Sequence, residues 1–99
     1  MEVYIIEESK NVYRIRKESE GCTVFSSNVY LEGNETMFLI LKEISKYGVE
    51  KGIMNIINLF DSNENILTDL LEFSNDLIVE NVLLETAADI KIYCNKIMR

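Results

Sequence analysis

Residues 29–44 read VYLEGNETMFLILKEI, and the hydrophobic rhythm changes in the middle of them. Val29, Tyr30 and Leu31 form a brief β-prone run. Gly33 breaks it, and Asn34 opens a helical pattern. An asparagine at that point caps a helix, because its side-chain oxygen accepts a hydrogen bond from a free amide of the first turn. Glu35 in the same turn complements the positive end of the helix dipole. Met37, Ile40, Leu41 and Ile44 then recur at helical spacing, and Phe38 and Leu39 widen the stripe. Gly48 follows Tyr47 and suits a left-handed C-cap. A small sheet therefore passes directly into a helical half.

Towards the N-terminus, Val12 to Arg16 alternate. Val12, Arg14 and Arg16 share one side and Tyr13 and Ile15 the other, which is the period of a half-buried strand. Lys17 to Gly21 (KESEG) reads as a turn. Cys22 to Ser26 (CTVFS) is β-branched and aromatic, with Val24 facing the same way as Cys22. Ser26, Ser27 and Asn28 supply a second turn before the short strand at 29–31. Strands this close in sequence pair as an antiparallel meander. Residues 3–6 (VYII) are β-prone but short, so a three-stranded sheet is expected.

Towards the C-terminus, a second, shorter helix runs from about Val49 to Phe60 with Val49, Ile53, Ile56, Ile57 and Phe60 as its stripe. The first two helices are joined by a turn of only a few residues and must pack as a tight hairpin or helix-turn-helix. Asp61, Ser62 and Asn63 make the next break, with Asp61 or Ser62 as N-cap. A third helix spans about Glu64 to Glu80. Ile66, Leu70, Phe73 and Leu77 line its core face, and Leu67, Leu71 and Ile78 line an adjacent one. Asp69 and Asp76 sit beside these stripes. Two apolar faces exceed what a small core needs, so one is available to a partner. Asn81 to Leu84 leave the helix as a short strand or tucked loop. Residues 86–98 form a fourth helix, with Ile90, Tyr93, Cys94 and Ile97 at helical spacing.

The chain has 99 residues, 47% of them hydrophobic, which is one domain with one core. It contains no His, Trp or Pro and two cysteines, Cys22 and Cys94. Without His, the commonest general base and the commonest metal ligand are both missing. The cysteines form no C-x-x-C pair, and two reduced thiols in or near the core fit a cytoplasmic protein. Met1 to Lys10 carries no basic n-region or long apolar stretch, so no signal peptide is read there. The longest apolar run, Met37 to Leu41, is too short for a bilayer. The net charge of −7 disfavours nucleic acid and anionic membranes and favours a basic partner. No G-x-S-x-G elbow, Gly-rich phosphate loop or other catalytic signature appears. No enzymatic activity, cofactor or metal is expected.

Three patches together resemble the PqqD-like family, the recognition elements of ribosomally made, post-translationally modified peptide pathways. The first is Val29, Tyr30 and Leu31 passing into Asn34, Glu35 and Thr36, then Ile40 and Ile44. The second is GVEKGIMNII, similar to the family's short second helix. The third is DLLEFSNDLIVENVLL, with Asp69, Leu70, Phe73, Leu77 and then Val82 to Leu84. The resemblance runs from about Val12 to Leu84. Asn81 stands where members often have Gly, Glu32 and Gly33 separate Leu31 from Asn34, and the tail after Leu84 has no counterpart. The chain accordingly divides into a recognition domain, 1–84, and a C-terminal helical extension, 85–99.

The resemblance implies an α+β, winged-helix-like fold: a three-stranded antiparallel sheet, three helices, and here a C-terminal helix. It also implies that the leader segment of a precursor peptide adds as a strand beside the third strand and against the third helix. The free backbone groups of an edge strand make such addition possible. On this chain the edge would be Val29, Tyr30 and Leu31, and the wall Leu67, Leu71, Ser74 and Ile78. The partner would be a separate maturation enzyme, such as a radical-SAM protein, a cyclodehydratase or a protease, and self-association into a homodimer stays open. Replacing Leu71 by Glu should then weaken peptide binding and leave the fold intact. The rival readings are a winged-helix DNA-binding regulator and a small dimerising interaction subunit. A DNA reader needs Lys, Arg, Asn or Gln on its exposed helix and basic flanks. The third helix carries Glu64, Asp69, Glu72, Asp76 and Glu80, and no Lys or Arg falls between Lys51 and Lys91.

Overall fold

The computed structural model describes residues 2–60 and 64–98. The fold is α+β: four antiparallel strands form one sheet in the order β1-β2-β3-β4, and four helices follow. The strands are β1 (Val3–Glu8), β2 (Asn11–Glu18), β3 (Gly21–Phe25) and β4 (Tyr30–Gly33). The helices are α1 (Glu35–Tyr47), α2 (Val49–Leu59), α3 (Glu64–Val79) and α4 (Leu84–Ile97).

The expected three-stranded sheet needs correction. The VYII run extends to Glu8 and pairs with β2 from Val3↔Arg16 to Glu8↔Asn11. Its alternation is legible only once β2 is alongside: Tyr4 and Ile6 turn inward, while Val3 and Ile5 face solvent. The last strand also sits later than expected. Val29 closes the preceding turn, with Ser26 N–H donating to its carbonyl at 3.0 Å, and β4 continues to Gly33. Gly21 permits that pairing. Its φ is +150°, and a Cβ there would meet the Gly33 carbonyl oxygen at 2.1 Å.

Inward-facing Tyr13, Ile15, Cys22 and Val24 pack under α1, where Phe38, Ile40, Leu41 and Ile44 are buried. The alternation of β2 is as its sequence predicts. Asn34 caps α1, its Oδ1 accepting from Met37 N–H at 2.9 Å. Gly48 does have positive φ, 86°, but its ψ of 174° is extended rather than left-handed helical. In that geometry its N–H donates to Ile44 O at 2.8 Å while its own carbonyl accepts from Gly52 N–H at 2.9 Å. One residue thus ends α1 and begins α2. Of the α2 stripe, Ile53 and Ile56 are fully buried and Phe60 is exposed.

The caps expected from Asp61 or Ser62 lie outside the described residues. At the far end of α3, Asn81 takes φ 61°. Val82 N–H reaches back to Leu77 O at 2.9 Å and Asn81 N–H to Ile78 O at 3.1 Å, the paired bonds of a Schellman stop with Asn in glycine's place. Val82 and Leu83 are then tucked into the core as a loop, not a strand. α4 packs on α3 and α2, and its Ala87, Ile90 and Cys94 belong to the same core as the sheet.

The N-terminus of α4 is held across the molecule. Leu83 offers no side-chain cap. The Glu8 carboxylate instead accepts from Thr86 N–H at 2.7 Å and Glu85 N–H at 3.3 Å. Reciprocally, the Glu85 carboxylate accepts from Ser9 N–H at 3.1 Å and from the Ser9 hydroxyl. An anion at a helix N-terminus satisfies free amides and meets the positive end of the dipole. The β1–β2 hairpin thereby fixes where α4 starts.

Candidate functional site

Two elements define the site: the free side of β4 and one flank of α3. Among the described residues β4 pairs only with β3, in the register Phe25↔Tyr30, Val24↔Leu31, Thr23↔Glu32 and Cys22↔Gly33. Residues of an antiparallel strand alternate between bonding the neighbour and pointing their amide and carbonyl away. The Ser26–Val29 bond sets the phase. Leu31 and Gly33 bond to β3, so Tyr30 and Glu32 turn their N–H and C=O to the open side. Tyr30 is 64% exposed and packs no core.

Beside this edge lies a groove of about 530 Å³. Leu31, Glu32 and Gly33 form one wall and Asn34, Thr36, Met37 and Ile40 continue it along the start of α1. The opposite wall is α3, through Asp69, Glu72, Phe73, Asp76, Val79 and Glu80. Leu31, Met37, Ile40 and Phe73 give it an apolar floor. Among the described residues, five carboxylates rim it and no Lys or Arg lines it. Among the described residues, no ion pair reaches Asp69, Glu72, Asp76 or Glu80.

Of the residues expected to bind a peptide, the fold brings only Leu31 into this groove. Val29 and Tyr30 line a shallower depression with Arg16 and Phe25, around the β3–β4 turn. Leu67, Leu71, Ser74 and Ile78 lie on the other flank of α3 and line no part of the groove. Leu67 and Leu71 are half-buried against the core. Ser74 is fully buried, its hydroxyl donating to Leu71 O at 2.7 Å. Ile78 is exposed. Leu70, Phe73 and Leu77 do face the core as expected.

Glu32, Glu72, Glu80 and Val79 escape sequence reasoning, and Asp69 and Asp76 are read there only as flanking the apolar stripes, because polar helix positions ordinarily mean a solvated face. One signal was present: Asp69 and Asp76 are seven residues apart, two turns on one line of the helix. Val79 offers no such signal, and only the structure shows it as an aliphatic residue left 81% exposed.

Other chemistry is sparse. Cys22 and Cys94 are free and buried, and burial pushes each thiol up to about 11, which keeps them protonated and unreactive at neutral pH. Among the described residues no group of three or more His, Cys, Asp or Glu could hold a metal ion, and no helix is long and apolar enough to cross a membrane. No family model matches the chain, and no curated protein or solved structure matches it either.

Proposed function

We propose that this chain is a non-catalytic, cytosolic peptide-binding domain. It captures the leader segment of a ribosomally made precursor as a fifth strand on β4 and presents it to a separate modifying enzyme. The observation that carries this reading is the unpaired edge of β4 lying beside a groove whose far wall is α3. An extended segment laid there would pair with the outward amides and carbonyls of Tyr30 and Glu32 while its alternate side chains reach the groove floor. The residues shared with the PqqD-like family support the same placement, since they run from the β4 edge through the Asn34 cap to α3. In this reading the fold is a winged-helix-like scaffold with one strand added at its front. Tethering a substrate at a maturase raises its effective concentration there, a benefit that needs no catalytic group on this chain.

The acidic α3 opposes the DNA-binding alternative, because phosphates would be repelled along its exposed flank. The test is hydrogen exchange during titration with the leader of a precursor encoded beside this gene. Protection of the Tyr30 and Glu32 amides is expected. Protection confined to another surface, or no binding, overturns the proposal. The Glu32→Pro variant sharpens it. Proline removes an amide that points away from β3 and is tolerated on an edge strand, so binding should fall with little loss of stability.

A further inference from the structure

We infer that the segment this groove accepts carries Lys or Arg on both sides of an apolar residue, at alternate positions: basic-x-apolar-x-basic. The inference rests on the strand-addition reading above and concerns what the added strand must contain. Along α3 the groove presents Asp69, Glu72, Phe73, Asp76, Val79 and Glu80. Carboxylates thus stand on both sides of Phe73. At a rise of about 1.5 Å per residue, Asp69 lies about 6 Å before Phe73 along the axis, and Asp76 and Glu80 lie about 4.5 and about 10.5 Å after it. Side chains on one face of an extended strand recur about every 6.6 Å. On an added strand running along α3, the inward side chains flanking the one at Phe73 therefore come within reach of Asp69 and Glu72 on one side and of Asp76 and Glu80 on the other. The apolar one falls on Phe73, with Met37 and Ile40 beneath, and its neighbours fall among carboxylates.

Charge decides which polar residues can sit there. Among the described residues, Glu32 on the strand side and Asp69, Glu72, Asp76 and Glu80 on the helix side are the charged groups lining the groove. A strand laid between them closes off part of their water. An acidic or neutral segment would leave these carboxylates repelling one another or less well solvated, whereas Lys or Arg pairs with them. Long basic side chains also cover the apolar floor with their methylene stems.

The experiment is selection of a phage-displayed random dodecapeptide library on the intact chain, followed by binding of the synthetic winners. The expected winners contain basic-x-apolar-x-basic and bind about tenfold more tightly than versions with Gln for Lys or Arg, equivalent to about 1.4 kcal/mol. That preference should shrink as salt rises and disappear in the Asp69→Asn/Asp76→Asn variant, whose exposed, nearly isosteric changes leave the fold intact. Winners that are neutral or acidic, yet lose binding in Glu32→Pro, overturn the charge preference and leave strand addition standing. Basic winners indifferent to both Glu32→Pro and the Asn variant, or no winners at all, overturn both.

Discussion

The two flanks of α3 differ in what they meet, although each lies one step around the helix from the same buried stripe of Leu70, Phe73 and Leu77. On one side Leu67, Leu71 and Ser74 turn into the packed interior. On the other, Asp69, Glu72 and Asp76 stand over a groove whose opposite wall is the sheet edge. The apolar flank is the natural guess for a binding wall, yet apolarity there serves packing. The open flank is the polar one, and its recognition power comes from charge placed around a small greasy floor. A surplus of leucine on a helix thus indicates burial before it indicates a partner.

The largest expected effect belongs to the stripe both flanks share. Leu70→Ala should cost about 3 kcal/mol in urea unfolding, because a fully buried leucine leaves a cavity. Next comes the packed flank. Leu71→Glu places a charge on a half-buried position and should destabilise by about 2 kcal/mol. If stability is instead unchanged and peptide binding is lost, the assignment of the two flanks is reversed. A smaller change tests what positions the helix beside α3. Glu8→Ala removes the carboxylate from the α4 N-terminus and should cost about 1 kcal/mol by thermal melting. It should also speed amide exchange in the first turn of α4 more than in α1. The smallest effect belongs to the groove flank. Asp76→Asn should leave stability within about 0.5 kcal/mol of the parent, being exposed and, among the described residues, without an ion pair, and should alter only the preference for basic peptides.

Much of the molecule follows from short-range pattern. The α1 stripe, the Asn34 cap and the alternation in β2 need only neighbouring residues to be recognised. The Asn81 turn is a weaker case of the same kind, since asparagine tolerates positive φ. β1 is harder. Its six residues become a strand of the sheet by pairing with β2, and VYII seen alone is too short to promise that. The later placement of β4, which begins one residue and ends two residues beyond expectation, has a similar origin, because the register is set by the Ser26–Val29 turn bond and the close approach of Gly21 to Gly33.

Local sequence thus carries the element order, the buried stripes and the acidic character of α3, since each depends on spacing of 2 or 3.6 residues and on side-chain chemistry. Which flank of α3 faces the groove depends on where α4 docks. That docking is held by Glu8 and Ser9 meeting Glu85 and Thr86, residues 76 to 78 positions apart. No local periodicity encodes a contact across such a separation. It exists only when the hairpin and the helix are brought together, and with it comes the groove beside β4.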